Sequence, residues 1–412
     1  MSLIYKKDKK LENLILSILD LNPKYIDLGL ERIKKLLLKL NSPEKKIPPV
    51  IHIAGTNGKG STLIFIKKIM EECGLKIHCY TSPHLINFNE RIIISNVQIK
   101  DEYLYEILKE VLFINKNEKI TFFELTTAAA ILAFSRIPAD YCLIETGLGG
   151  RLDATNIIKF KILNIITSIG IDHEEFLSPF LKNIVYEKCG ILSSHIPVIL
   201  SNQNSNYKNK LLNQQINLIK CEKINLFNLP KHYKLGLLGN HQYINAKTAV
   251  TAIRHVLKNV DEIKIKNGLE KASWPGRMQN VSNFSFNQKR FNKTFIDGAH
   301  NVEGAIIINN YLNKLNIGKW HFILGMLKTK NPKKFISIFE KHIEKIIFIP
   351  ISNQKNFYSP SLLSREFLNS KFQIEYDLNL QNAMLKIPPN KPLFVTGSLY
   401  LMGEFLKIYS EK

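Results

Sequence analysis

The stretch Val50-Ile51-His52-Ile53-Ala54, followed by Gly55-Thr56-Asn57-Gly58-Lys59-Gly60-Ser61-Thr62, decides the fold. VIHIA is a short apolar run rich in β-branched residues and reads as a buried strand. The glycines after it let the backbone wrap tightly, so that N–H groups at the start of a helix from about 59 to 73 face an anion. Lys59 has the reach for outer phosphates, and Ser61 offers a hydroxyl suited to phosphate or magnesium. The loop departs from the general pattern G-x-x-x-x-G-K-[ST]: it is shorter before the lysine, and Gly60 separates Lys59 from Ser61.

Moving outward, KIHCYTS (76–82), YCLIET (141–146) and ILNIITSI (162–169) read as further strands separated by helix-length segments. That alternation implies parallel βαβ units with right-handed crossovers. Pro275 and Gly276 punctuate the pattern in WPGRMQ (274–279), and a second alternation begins beyond it. Its strands are KTFID (293–297), WHFILG (320–325), KIIFIP (345–350) and PLFVTG (392–397). The expectation is an α/β protein: a P-loop mononucleotide-binding N-terminal domain (1–280) and a smaller Rossmann-like α/β C-terminal domain (281–412). The polar segment 201–236, rich in asparagine and lysine, resists assignment.

A chain of 412 residues with 45% hydrophobic and 22% charged content has the composition of a globular protein. No apolar run approaches membrane-spanning length. The lysines ahead of an apolar N-terminal stretch mimic a signal peptide, but Glu12, Asn13 and Asp20 interrupt it and no small-residue cleavage site follows. A surface helix with apolar positions at Leu11, Leu14, Ile15 and Ile18 is the reading, and a cytoplasmic location the expectation. The five cysteines (Cys73, Cys79, Cys142, Cys189, Cys221) are odd in number and form no CxxC pair, which points to reduced, mostly buried thiols. A formal charge of +22 raises a nucleic-acid-binding alternative, but the lysines are dispersed and no nucleic-acid motif accompanies them.

G-T-N-G-K-G-S resembles the loop of the Mur ligase superfamily, in its dihydrofolate synthase/folylpolyglutamate synthase branch. The resemblance extends over nearly the whole chain. Ile26-Asp27-Leu28-Gly29-Leu30-Glu31-Arg32 and the Thr121-Phe122-Phe123-Glu124 segment are similar to stretches that border the pterin site there. Ser82-Pro83-His84-Leu85 matches a motif whose serine binds magnesium. In Glu145-Thr146-Gly147-Leu148-Gly149-Gly150-Arg151-Leu152-Asp153-Ala154, the glutamate ends a predicted strand, where ligands of open α/β sheets gather. The resemblance makes Glu145 a metal ligand and sets Leu152, Asp153 and Ala154, with Leu28, Gly29 and Thr121, against the pterin. It makes His173 a further metal ligand and Lys188, in Glu187-Lys188-Cys189-Gly190-Ile191, a carbamylated lysine. By composition alone His173 would be a structural histidine and Lys188 a solvated lysine.

Asn245 in H-Q-x-x-N-A, Arg277 in W-P-G-R-M-Q and Asp297 in D-G-A-H-N resemble nucleotide-site residues, joining Asn57, Gly58, Lys59, Gly60 and Ser61. Arginine presents a planar donor fork to phosphate. Two departures stand out. Val302 replaces a usual proline, and Gly325-Met326-Leu327-Lys328-Thr329-Lys330-Asn331 stands where relatives carry D-K-D.

The implied activity is an ATP-dependent ligase, active as a monomer, with two magnesium ions. It joins L-glutamate to dihydropteroate and to reduced folates through an acyl phosphate, with Lys59, His173 and Lys188 as its catalytic residues. A monofunctional folylpolyglutamate synthase is the alternative within the branch.

Overall fold

The computed structural model describes residues 9–21, 27–352 and 354–410. The described residues form two compact units: 9–21 and 27–236 with 242–272, and 273–352 and 354–410 with 237–241.

In the first unit the strands are β1 (Val50–Ala54), β2 (Ile77–Tyr80), β3 (Ile92–Ile94), β4 (Val97–Gln98), β5 (Tyr141–Glu145), β6 (Lys161–Ile166), β7 (Val198–Leu200) and β8 (Lys223–Ile224). Among the described residues they make one sheet in the order β4-β3-β2-β5-β1-β6-β7-β8. From β2 to β8 the neighbours are parallel, and β3 and β4 add an antiparallel edge. Those two edge strands are too short to have shown an alternation in the sequence. β1 is buried at every position and lies between β5 and β6, with Ile53 beside Glu145 and Ala54 beside Ile166. The loop after β1 therefore opens between the ends of two neighbouring strands.

Helices cover the sheet as their patterns require. Lys9–Leu21 buries Leu11 and Ile18, with Leu14 and Ile15 half-buried against the same core. Glu31–Lys39 buries Ile33, Leu36 and Leu37 at helical spacing. Phe122–Arg136 starts on a Thr121–Glu124 capping box, in which each residue satisfies a backbone N–H of the other. Its small Ala128, Ala129 and Ala130 are fully buried. The unassigned polar segment contains the helix Asn206–Ile219, which buries Leu211, Leu212 and Ile216 and leaves Tyr207 and Leu218 exposed.

The second unit contributes β9 (Gln279–Asn280), the hairpin β10 (Phe284–Phe286) and β11 (Lys289–Phe291), β12 (Thr294–Asp297), β13 (Trp320–Leu324), β14 (Ile343–Phe348), β15 (Gln373–Tyr376) and β16 (Leu393–Thr396). Among the described residues its larger sheet runs β15-β14-β13-β16-β12-β9, parallel except for β9. Trp320, Phe322, Phe348 and Phe394 form its buried aromatic centre. The predicted strands are present here with ends shifted by one to two residues. Val302 is the first residue of the helix Val302–Leu315, capped by the Asn301 side chain. A first-turn N–H lacks an intrahelical partner in any case, so proline and valine differ there mainly in stiffness.

All five cysteines are free thiols, and only Cys73 is partly exposed. Among the described residues no helix is long and apolar enough to cross a membrane.

Candidate active site

The loop after β1 is shaped by its neighbours. Gly55 has φ +152°, and a Cβ there would lie 1.8 Å from Thr167 Oγ1, just past β6. The Thr56 N–H donates to the Ser168 carbonyl at 2.8 Å. The Thr56 hydroxyl and the Gly170 backbone hold each other at 3.0 Å. Gly58, at φ +88°, precedes the helix Lys59–Glu72, and the N–H of Thr62 closes the first turn on the Gly58 carbonyl at 2.9 Å. The N–H groups of Lys59, Gly60 and Ser61 precede that bond and are aimed out of the helix start, as an anion site requires.

Cations and one carboxylate gather on this loop. Lys59 Nζ donates to the Gly55 carbonyl at 3.2 Å and the Thr56 carbonyl at 3.4 Å, and lies 3.7 Å from Glu145 Oε1. Glu145 is buried at the end of β5, and its Oε2 accepts from the Ser82 N–H at 3.3 Å. Lys188 is buried, which corrects the solvated lysine that composition suggested; its Nζ donates to the Gly55 carbonyl at 2.9 Å. Burial pushes this ammonium down to about 7, and Lys59 adds repulsion that Asp172 and Asp153 partly offset. Two lysines far apart in the sequence thus reach one carbonyl oxygen.

His173 follows β6 with φ +55°, its side chain part-exposed. Its N–H donates to Asp172 Oδ1 at 2.9 Å, and its Nε2 lies 4.0 Å from Asp172 Oδ2. Among the described residues no three His, Cys, Asp or Glu side chains converge into a cage. Glu145 and Ser82 instead offer a carboxylate and a hydroxyl, hard oxygens of the kind that hold magnesium together with phosphates and water.

The segments expected beside a pterin are linked to one another. Arg32 Nε donates to buried Glu124 at 2.9 Å, and its Nη1 to Asp27 at 2.6 Å. The Phe123 ring lies 2.5 Å from where a Cβ of Gly147 would be. Leu28 and Leu148 pack on the same core cluster as Ile169 and Leu177. A side chain at Gly29 would meet open space. Leu152 is half-buried and Ala154 buried, whereas Ile26 lies outside the described residues. Asp153 is buried and turned inward: Oδ2 accepts from the N–H of Gly147 (2.9 Å) and Leu148 (2.8 Å), and Oδ1 from the N–H and hydroxyl of Thr155. Burial raises its carboxyl, against the pull of these donors.

Asn245 also belongs to this unit, in the helix Asn240–Val256. Its Oδ1 lies 2.5 Å from where a Cβ of Gly58 would start, and its Nδ2 donates to Gln242 at 2.9 Å. Gln242 in turn donates to the Ser61 hydroxyl at 3.3 Å. Gln242 was not among the expected site residues, although it stands inside the motif that nominated Asn245.

In the second unit, Asp297 ends β12 and is buried; its oxygens accept from the N–H of Met278 (2.6 Å) and Ala299 (2.8 Å). Burial raises its carboxyl and the nearby Arg277 charge opposes that. The segment that departs from D-K-D forms a turn after β13. Leu327 bridges to Phe357, the Lys328 N–H donates to the Asn356 carbonyl at 3.0 Å, and Asn331 caps the helix Pro332–Ser337. Backbone pairing, the Asn331 cap and the Tyr358 hydroxyl on the Lys330 carbonyl at 3.1 Å brace it.

Residues 279–408 match the family model for the dihydrofolate synthetase C-terminal domain. The dihydrofolate synthase/folylpolyglutamate synthase of Bacillus subtilis (strain 168) is 30% identical to this chain over 419 residues, covering 92% of this chain and 94% of that protein. Escherichia coli FolC, solved in complex with ADP without folate substrate, superposes with a TM-score of 0.84 at 25% identity, covering 97% of each chain. The bifunctional folylpolyglutamate synthase/dihydrofolate synthase from Yersinia pestis, solved with AMPPNP and a manganese ion, shares the fold with a TM-score of 0.82 at 24% identity, covering 98% of this chain and 99% of that one.

Proposed function

The chain belongs to the dihydrofolate synthase/folylpolyglutamate synthase family, and on that premise we propose that it joins L-glutamate to folate-type carboxylates with ATP as co-substrate. Dihydropteroate is one acceptor, giving dihydrofolate; reduced folates are the other, giving polyglutamates. The observation that carries the reading is the gathering of Lys59, Lys188 and Glu145 on the loop after β1.

A carboxylate and an amine at neutral pH form a salt, so the carboxylate has to be activated. The γ-phosphoryl group of ATP passes to the acceptor carboxylate, giving an acyl phosphate and ADP. The glutamate amino group then attacks the acyl carbon, and phosphate leaves. Two anions approach each other in the first step, and the Lys59 ammonium with the N–H groups of Gly60 and Ser61 offsets their repulsion. Asn57, Gly58 and Asn245 shape the phosphate end of this site, and by the family resemblance Arg277 and Asp297 are further nucleotide-binding residues.

Ser82 and Glu145 would hold one divalent cation, and His173 with a carbamylated Lys188 a second, each supplying positive charge beside the transferring phosphoryl group. The manganese in the Yersinia pestis neighbour supports a divalent cation as such. Carbamylation needs a neutral amine, and burial of Lys188 favours that form. Leu28, Gly29, Thr121, Leu152, Asp153 and Ala154 border the pterin. In this reading residues 1–280 bind ATP and folate, 281–412 form the C-terminal domain, and the enzyme is a cytoplasmic monomer. The free thiols of its cysteines suit a reducing compartment.

The test is ADP release with magnesium, ATP and glutamate, comparing dihydropteroate, a reduced folate and no acceptor. Release with both acceptors supports the bifunctional assignment, and release with one alone assigns a single activity. Silence with both, while ATP demonstrably binds, overturns the ligase reading.

A further inference from the structure

His52 sits at the centre of β1, between Ile51 and Ile53, in a strand with no exposed residue. Its Nε2 lies 2.8 Å from Thr155 Oγ1. That hydroxyl gives its single hydrogen to Asp153 Oδ1 at 2.5 Å, so toward His52 it has only a lone pair to offer. Nε2 therefore carries the proton and Nδ1 does not. Burial holds the imidazole well below its ordinary value, and it stays neutral.

The other oxygen of Asp153 accepts the N–H groups of Gly147 and Leu148, the second and third residues after Glu145. A continuous chain thus runs from the strand that delivers the phosphate loop to the turn that follows Glu145. All three side chains are buried, each at most 2% exposed.

A purely structural role would not favour histidine here. Among the described residues, His52 Nδ1 finds no hydrogen-bond partner, and neither does the side-chain amide of Asn164. Asn164 is the residue paired with His52 on β6, and it too is fully buried. Unpartnered polar atoms in a dry core are destabilising, and an aliphatic residue would avoid them at both positions. Departures from local rules of this kind concentrate where function requires them.

We propose that His52 is a positioning residue: through Thr155 it fixes Asp153, and through Asp153 the Gly147–Leu148 backbone, so that the turn running from Glu145 to the acceptor-side residues Leu152, Asp153 and Ala154 keeps one shape. The inference deepens the functional reading above and depends on it for the identity of the acceptor. The N–H groups of Gly147 and Leu148 hold only Oδ2; Thr155, with His52 behind it, holds Oδ1 and so fixes the plane of the carboxylate.

The experiment uses the full chain and the variants His52→Leu, Thr155→Val, the double variant and Thr155→Ser. Kinetics with dihydropteroate are expected to show the acceptor KM rising about fivefold or more in each of the first two, with the ATP KM within about twofold. The double variant should be no worse than the weaker single one, since both break one chain. Thr155→Ser keeps the hydroxyl and should stay near wild type. Amide hydrogen exchange gives an activity-independent readout: Gly147 and Leu148 should exchange about tenfold faster in Thr155→Val. An unchanged exchange rate at those two amides overturns the proposal even if wild-type turnover is absent, whereas absent wild-type turnover alone strikes only at the ligase reading. Acceptor and ATP KM rising together, or effects of the two single variants that multiply, would also overturn it. Should His52→Leu fail to fold, Thr155→Val decides alone, because valine keeps the shape of threonine.

Discussion

The Lys188 ammonium donates to the Gly55 carbonyl at 2.9 Å, inside the loop that carries Lys59. Its titration near 7 leaves much of the amine neutral at physiological pH, and the neutral amine is the form that adds carbon dioxide. Ligation is therefore expected to slow after prolonged incubation in carbon-dioxide-free buffer and to recover with bicarbonate. Lys188→Ala should lower turnover by about a hundredfold and abolish the bicarbonate response. Turnover by the wild type that is indifferent to bicarbonate would count against carbamylation and leave Lys188 a loop-bracing lysine.

Gly58 and Asn245 make a second sharp case. Gly58→Ala would force a φ of +88° on a residue with a Cβ and drive that atom to 2.5 Å from Asn245 Oδ1. The backbone strain alone costs about 1–2 kcal/mol. Nucleotide affinity, read by calorimetric titration, should fall about tenfold or more. The variant combining Gly58→Ala with Asn245→Ala should be less impaired than the product of the two single effects, because the clash is then gone. Simple multiplication would mean that the helix start yields and that Asn245 does not press on the loop.

How much of this was legible in the sequence depended on distance along the chain. The phosphate loop is local: the strand, the glycines and Lys59 are adjacent in sequence, and so is the capping box of Thr121 and Glu124. What joins the pieces is not local. Ser61 meets Gln242 across 181 residues, His52 meets Thr155 across 103 and Arg32 meets Glu124 across 92. No periodicity reports such pairs. The burial of Lys188 was hidden for the same reason, since its helix Leu181–Cys189 buries only part of one face and lysine is abundant in this chain. Asp153 carries a second layer that its motif did not show. Its motif nominated it as a substrate residue, yet both of its oxygens are engaged by the protein itself.

Glu145 stands between the Lys59 ammonium and the Ser82 N–H. Glu145→Gln keeps the shape and an acceptor oxygen but removes the charge, so it separates metal binding from packing. Its magnesium dependence, measured at fixed ATP, should shift to higher concentration by about tenfold or more, with a folded protein and a smaller change in nucleotide affinity. An unshifted magnesium titration would remove Glu145 from the ligand set.

His241 provides a pH prediction in the second unit. Burial, with repulsion from Arg277, pushes its imidazole from an ordinary 6.5 down to about 4. The folded state therefore holds it neutral where the unfolded chain takes up a proton. A depressed base of this kind contributes stability that is fully present above about 6.5 and is lost as pH falls toward 4. Each tenfold difference in proton affinity between the folded and unfolded chain is worth about 1.4 kcal/mol, so between pH 7.5 and 4.5 the loss is about 2–3 kcal/mol. Both tryptophans, Trp274 and Trp320, lie in the unit that contains His241, so their fluorescence during urea unfolding reports on it. The stability difference between wild type and His241→Asn should shrink by that amount from pH 7.5 to 4.5. An equal difference at both pH values would mean that the folded state protonates His241 as readily as the unfolded chain does. The Gly239–His241 turn, in which a Cβ on Gly239 would lie 2.6 Å from the ring, would then have to open to admit solvent.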